Sequence, residues 1–234
     1  MIIKEHSTVD NLEVLYIDNH IIAINKRSGD IVQGDKTSDI PLSEIVKGYL
    51  AKRFNKPGNV FLGVVHRLDR PTSGVIIFAR TSKALTRLNK ALVDRSFEKT
   101  YWAMVHPFPD NPSARLVHYL KRNSRQNKSY AHLKPVPDSK QAILEYQLLL
   151  KLQKYALLEI QLHTGRHHQI RAQLAKIGCT IKGDLKYGAQ RSNQNGGIHL
   201  HARVLHFIHP VKKTPITITA PVPKNDSLWD VVRL

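Results

Sequence analysis

Residues 61–80 read FLGVVHRLDRPTSGVIIFAR. Two apolar runs, Phe61–His66 and Gly74–Arg80, flank the polar segment RLDRPTS, and this spacing predicts two strands joined by a loop. Pro71 and Gly74 supply the turn chemistry. The loop holds Asp69 with Arg67 and Arg70 beside it. Neighbouring guanidinium groups favour an ionised carboxylate, which makes Asp69 a candidate nucleophile or base. The competing reading is an aspartate that caps its turn and pairs with one of those arginines.

Outward from this loop the chain continues in runs of strand rather than in strand–helix alternation. LEVLYID (Leu12–Asp18) and HIIAINK (His20–Lys26) read as a hairpin. After Pro41, Ile45, Val46, Tyr49, Leu50 and Phe54 fall on one helical face, with Ser43 as the cap. Ser82 caps a second helix with Leu85, Leu88 and Leu92 in register. KTYWAMVH (Lys99–His106) alternates as a strand. From Asp110 to Ser139 the composition predicts strand fragments joined by an exposed basic turn, KRNSRQNK (Lys121–Lys128). AILEYQLLLKL and YALLEIQLH form an antiparallel pair turning at Gln153 and Lys154. HHQIRAQLAKIG is a helix with Ile170, Leu174 and Ile177 on one face and Gly178 at its end. Strands follow around GIHLHARVLHFIHP and PITITA, and SLWDVVRL closes the chain as a short helix. The sum is an α+β fold with a mainly antiparallel or mixed sheet. Composition shifts near residue 110 without a linker, so the 234 residues read as a single domain.

Charge narrows the function. The chain carries 36 Lys and Arg against 18 Asp and Glu, a formal net charge of +18. The surplus is uneven: 15 basic against 11 acidic side chains in residues 1–98, but 20 against 5 in residues 99–225. Solubility does not need a one-sided surplus, whereas binding a polyanion such as nucleic acid does. The single cysteine, Cys179, allows no internal disulfide and no cysteine cluster for zinc, and reads as a small core residue. The first twenty residues lack the apolar core of a signal peptide and no 18 apolar residues run together, so a cytoplasmic protein is expected. No Walker loop or GxGxxG offers a foothold for a nucleotide cofactor.

A second cluster is LHTGRHHQIRAQL (Leu162–Leu174). Gly165 precedes a helix whose first turn is expected to carry Arg166, His167 and His168, with Arg171 one turn on; backbone N–H groups and cations there suit a phosphate. The histidines His163, His167, His168, His199, His201, His206 and His209 invite a metal reading. There is no HExxH pattern, however, and acidic partners are scarce, so no metal is expected. Tyr101 and Trp102 are either platforms for an unstacked base or core aromatics.

Read together, these segments resemble the RluA-type RNA pseudouridine synthases. HRLDRPTSG (His66–Gly74) matches that family's aspartate loop, FEKTYWAMV (Phe97–Val105) its K-x-Y strand, LEIQLHTGRHHQIRAQLAKIGCTIKGDLKYG (Leu158–Gly188) its long third motif, and LHARVLHFIHP (Leu200–Pro210) the segment that follows. AINKRSGDIV (Ala23–Val32) resembles its first motif, with Arg27 where proline is usual. The resemblance implies a single catalytic domain on the pseudouridine synthase fold: a long mixed, mostly antiparallel sheet with flanking helices and a central RNA-binding cleft. About twenty residues precede the first motif, so no N-terminal S4 domain is expected.

Roles follow by position. Asp69 matches the essential aspartate and Tyr101 the tyrosine that stacks on the target base. Arg171 matches the arginine paired with the aspartate. Arg67 takes the place vacated by the flipped nucleotide, and Ile170 packs near the base. Arg70, Arg166, His167, Lys121, Arg122, Arg125 and Lys128 are expected to contact RNA. The substrate would be rRNA or tRNA, with no cofactor or metal, no membrane and a monomeric enzyme. Two other functions remain open: an RNA-binding or ribosome-assembly protein without activity, and an RNA nuclease using histidines such as His167.

Overall fold

The computed structural model describes residues 6–34 and 37–232. The first elements are β1 (Val14–Ile17), β2 (Ile21–Lys26), α1 (Leu42–Arg53), β3 (Gly63–Val64), β4 (Ser73–Ala79) and α2 (Ser82–Val93). Next come β5 (Glu98–His106), β6 (Ser113–Asn123), β7 (Lys128–His132), β8 (Lys140–Lys151), β9 (Ala156–Leu162), α3 (Gln169–Lys176) and β10 (Thr180–Ile181). A single 3-10 turn (Leu185–Tyr187) precedes β11 (Leu200–Ile208), β12 (Pro215–Thr219) and α4 (Ser227–Asp230). The last two residues of the SLWDVVRL run, and the first five of the chain, lie outside the described residues. The elements divide into two compact units, one holding the described residues up to Phe97 and from Ala202 onward, the other Glu98–His201.

In the first unit the strands lie in the order β1-β2-β4-β11, with β3 also on β4 and β12 on β11. Every residue of β2 and β4 is buried. Strands covered on both faces read as continuous apolar runs, which is why IIAINK and GVIIFA were legible. Gly74 has φ +114°, and a Cβ there would lie 2.3–2.8 Å from backbone atoms of Ala202, so only glycine lets the two chains approach. The Phe61–His66 run pairs with β4 only through Gly63 and Val64. Beyond them a side chain replaces the ladder: the Ile77 N–H donates to His66 Nε2 at 3.2 Å.

Both expected serine caps move. Pro41, with φ −71° and ψ 149°, stands immediately before α1 and makes no side-chain cap bond, so Ser43 falls inside the helix and is buried. Thr81 rather than Ser82 caps α2, its Oγ1 accepting from Ala84 N at 3.2 Å. Ile45, Val46 and Leu50 point inward as expected, but Phe54 is 44% exposed and lies under the Arg80 guanidinium, 4.6 Å from its ring centroid.

The second unit is ordered β10-β5-β9-β8-β6-β7, every neighbour antiparallel. The expected strand fragments of residues 110–139 are instead one eleven-residue strand and a partner, a long hairpin. The alternation was hidden by polar residues on the buried face: His118 lies between Leu116 and Leu120 there and is satisfied by Gln173 Nε2 at 3.0 Å. Helix α3 packs on this face, where Leu120, Ala142, Ala172 and Tyr187 cluster with Ala131 and Ala175, small side chains that admit the helix closely.

Helix α3 starts at Gln169 rather than at Arg166, because His168 is left-handed, with φ +53°. Its end is as expected. Gly178 has φ +82°, Gly178 N bonds to Ala175 O at 3.1 Å and Cys179 N to Leu174 O at 2.9 Å, the paired bonds of a Schellman motif. Cys179 is buried behind it, and burial pushes its thiol pKa up to about 11. None of the described helices is long and apolar enough to cross a membrane.

Candidate active site

The Asp69 loop is gripped from below by the end of β2. Because that strand is buried on both faces, the Lys26 ammonium is buried as well and must find acceptors. It donates to the carbonyls of Arg27 (2.9 Å), Arg70 (3.1 Å) and Thr72 (2.8 Å). Two more bonds complete the hold: Gly29 N to Arg70 O at 2.8 Å and Ser28 Oγ to Pro71 O at 2.9 Å. The loop closes on itself through Thr72 N to Asp69 O at 3.0 Å. The segment Lys26–Gly29 therefore fixes the carbonyls of all three residues that follow Asp69. Burial pulls the Lys26 pKa down to about 7; Asp30 and Asp69 oppose that fall, and Arg70 adds to it.

Around the loop, Asp69 is half-buried and Arg67 exposed. The Arg70 guanidinium forms an ion pair with Asp39 and reaches Thr37 Oγ1 at 3.4 Å. Arg27 Nη2 donates to Asn11 O at 3.4 Å, so the residue standing in the usual proline position braces the loop on the N-terminal segment.

In the second unit, Tyr101 lies on β5 opposite Ile160 and is buried, while its neighbour Trp102 faces the other way and donates from Nε1 to Glu159 at 3.1 Å. Arg171 occupies the first turn of α3. Its Nε and Nη2 bind the two carboxylate oxygens of Asp184 at 2.7 and 2.8 Å, and both side chains are buried. The same guanidinium sits 5.0 Å from the ring centroid of Tyr187. Neither Asp184 nor Tyr187 was singled out from the sequence. The available signal was charge: Asp184 is one of five acids among residues 99–225.

The turn before α3 is built by Gln169. Its Oε1 accepts from Arg166 N (3.0 Å) and Thr164 Oγ1 (2.7 Å), and its Nε2 donates to Ile143 O (3.0 Å). This places Arg166 and His167 ahead of the helix, with Arg166 exposed and Ile170 buried in the first turn. His167 stacks on His168 at 3.8 Å between ring centroids, and its ring nitrogens meet Ser129 Oγ (2.9 Å) and Asn127 Oδ1 (3.1 Å).

Tyr187 ties this turn to the β6–β7 hairpin. Its hydroxyl accepts from Ser129 N (2.9 Å) and donates to Ser129 O (3.1 Å), so the proton in its 3.1 Å contact with His168 belongs to His168 Nδ1. Lys186 Nζ donates to Gln126 O and Asn127 O at 3.3 and 3.1 Å, and Lys128 Nζ lies 5.0 Å from the Tyr187 ring centroid. Burial, joined by the cations Arg171, Lys186 and Arg122 and by the neighbouring His167 ring, drives the His168 pKa down to about 2. A neutral imidazole at the centre of that many cations marks a field suited to a polyanion. Lys121, Arg122 and Arg125 are exposed on the same hairpin. Among the described residues, no group of three or more His, Cys, Asp or Glu side chains is arranged to hold a metal.

Set beside known proteins, residues 20–176 match the family model described as RNA pseudouridylate synthase. The ribosomal large subunit pseudouridine synthase C of Buchnera aphidicola is 34% identical over 224 residues, covering 92% of this chain and 69% of that protein. Ribosomal large subunit pseudouridine synthase D of Xylella fastidiosa is 33% identical, with 92% and 67% covered. Among solved structures, human RNA pseudouridylate synthase domain containing 4 superposes with a TM-score of 0.75 at 22% identity, covering 91% of this chain and 89% of that one, a likeness of fold.

Proposed function

The chain belongs to the RNA pseudouridylate synthase family, and from that premise we propose that it isomerises uridine in ribosomal RNA with Asp69 as its catalytic carboxylate. The observation that carries the assignment is the grip of Lys26, Ser28 and Gly29 on the residues following Asp69, which leaves the carboxylate on a fixed backbone. Rigid presentation of one carboxylate is what catalysis requires and what RNA binding alone does not.

The reaction breaks the N1–C1′ glycosidic bond, turns the base, joins C5 to C1′, and exchanges the proton on C5 for one on N1. Atoms and electrons balance within the nucleotide, so the residues need only bind, orient and move charge. In this reading the target uridine leaves its stack at a cost of a few kcal/mol. Stacking on Tyr101 offsets roughly 1–3 kcal/mol of that cost. Arg67 fills the vacated place, Ile170 packs beside the base, and Arg171, held by Asp184 and Tyr187, supplies the cation that the family resemblance assigns to the reaction. Arg166, His167, Lys121, Arg122, Arg125 and Lys128 take phosphates, and Arg70 supports the Asp69 loop. The enzyme acts as a cytoplasmic monomer.

Large-subunit ribosomal RNA is the substrate favoured here because the relatives named above are ribosomal large subunit enzymes. The test uses rRNA and, separately, tRNA transcribed with uridine tritiated at C5. Isomerisation sends that tritium to water. Release from rRNA and not from tRNA supports the proposal, release from tRNA alone overturns the substrate, and cleavage of the strand in place of tritium release overturns the reaction.

A further inference from the structure

The β6–β7 hairpin has an outer face whose cations Lys121 and Lys128 are among the phosphate contacts named above and whose aromatic side chains have no part in the proposed reaction. In its register, Tyr119 lies opposite His132, Lys121 opposite Tyr130, and Asn123 opposite Lys128, so these six side chains share one side of the ribbon. The other side carries Leu120, Ser129 and Ala131 toward α3. Following the register across the sheet, Tyr101, Ile160, Tyr146 and Ala114 share a face that continues on β6 through Leu116, His118 and Leu120. Tyr119, Lys121 and Tyr130 therefore point away from the face on which Tyr101 lies.

This outer face has the composition of a stacking platform. Tyr130 is 41% exposed, with Lys128 Nζ 5.4 Å from its ring centroid and its hydroxyl donating to Gln126 Oε1 at 2.5 Å. It lines an open concavity of about 420 Å³ shared with Lys121, Arg122, Arg125 and His132, within the roughly 300–1,000 Å³ of small-ligand sites. A tyrosine held at its hydroxyl, facing outward and ringed by cations, does nothing for the core. It offers a π-face to a base and several charges to the phosphates on either side.

We propose that this concavity is a second RNA site, stacking an unpaired nucleobase on Tyr130 with its flanking phosphates on Lys121, Arg125 and Lys128. The proposal rests on the reading that the chain acts on RNA, and adds a sequence-tolerant contact on the opposite sheet face from the target uridine.

The test is binding of an oligoadenylate of about eight nucleotides, a length suited to one stacking groove and free of uridine, across a range of salt. Tyr130→Ala is expected to bind about tenfold more weakly with an unchanged salt slope, while Tyr130→Phe, which keeps the π-face, stays within about twofold of wild type. Lys121→Gln should instead flatten the slope. Wild-type affinity in Tyr130→Ala overturns the proposal, as does an equal loss in Tyr130→Phe. Tritium release by the wild type, run in parallel, separates the two readings. Tyr130-dependent binding without release upholds the platform and defeats the isomerase; release without Tyr130 dependence does the reverse.

Discussion

Lys26 Nζ donates to the carbonyl of Thr72 at 2.8 Å across 46 residues of sequence. A buried strand end is thereby tied to the loop that carries Asp69, and the first motif of the chain holds the second in place. Lys26→Met keeps the volume and removes three hydrogen bonds, after which Arg70 O still accepts from Gly29 N; each carbonyl left buried and unpaired costs roughly 1–3 kcal/mol. The expected outcome is a turnover rate lower by about a hundredfold, with RNA affinity within a few-fold of wild type, measured as kcat and Kd on the same RNA. An unchanged kcat would show that the loop holds itself.

Asp184 is the counter-charge of Arg171, and both are buried. Asp184→Ala removes a buried, bidentate partner of the Arg171 guanidinium, which costs about 3–5 kcal/mol. In a chain of this size that lowers Tm by on the order of 10 °C. The double variant Arg171→Met/Asp184→Leu should recover most of that melting temperature and none of the turnover. Recovery of both would remove Arg171 from the chemistry.

Tyr187→Phe keeps the ring beside Arg171 and deletes the hydroxyl that joins Ser129 to His168. The hairpin then loses one of its ties to the α3 turn and keeps those from His167 to Ser129 and Asn127. KM for RNA is expected to rise about five- to tenfold while kcat stays within twofold, from the loss of roughly one buried hydrogen-bonding centre. Steady-state kinetics in which kcat falls and KM does not would place the hydroxyl's effect on Arg171 instead.

Replacing Lys121 and Arg125 together by Gln should weaken binding of all RNAs alike and reduce the slope of log K against log salt by about 1.4–1.8, from roughly 0.7–0.9 per phosphate contact. A salt titration with an unchanged slope would mark the hairpin tip as solvated surface.

Asp18 contributes to the acid sensitivity of the first unit. Its carboxylate is held down to about 2 against its own burial, by the backbone N–H groups of His20 and Ile21 and by Lys212 and His209. A lowered folded-state pKa adds stability above the unfolded value near 3.8, and that stability is lost as pH falls toward 2. Asp18→Asn should therefore be less stable than wild type at neutral pH by about 1–2 kcal/mol, with the two converging below about pH 3. Urea midpoints at several pH values measure this; a gap that persists at pH 2 would contradict it.

How much of this the sequence disclosed depended on which signal each element carries. β2 and β4 were legible because strands buried on both faces are continuous apolar runs. The α+β class followed from strands arriving in runs. The basic turn joining two strands was legible, but the eleven-residue length of β6 was not, because the hairpin's inward positions include His118 and Ser129, polar residues satisfied by Gln173 and Tyr187 from elsewhere in the chain. The start of α3 was misplaced for a related reason: Arg166, His167 and His168 suit helical spacing, but a left-handed His168 stops the helix short of them. For the site, charge and turn chemistry pointed to Asp69 and to a polyanion. Tyr101, a buried strand tyrosine, had no physical signal separating it from core; its role came from resemblance. Asp184 and Tyr187 gain their meaning only from side chains that meet in three dimensions.

Asp69 is proposed to serve the chemistry rather than the fold or the binding. The direct measurement is single-turnover tritium release from rRNA labelled at C5 of uridine, comparing wild type with Asp69→Asn, with Kd and Tm measured on the same preparations. Release abolished in the variant, with affinity within a few-fold and melting unchanged, is the predicted result. Release at the wild-type rate by Asp69→Asn would remove Asp69 from the chemistry.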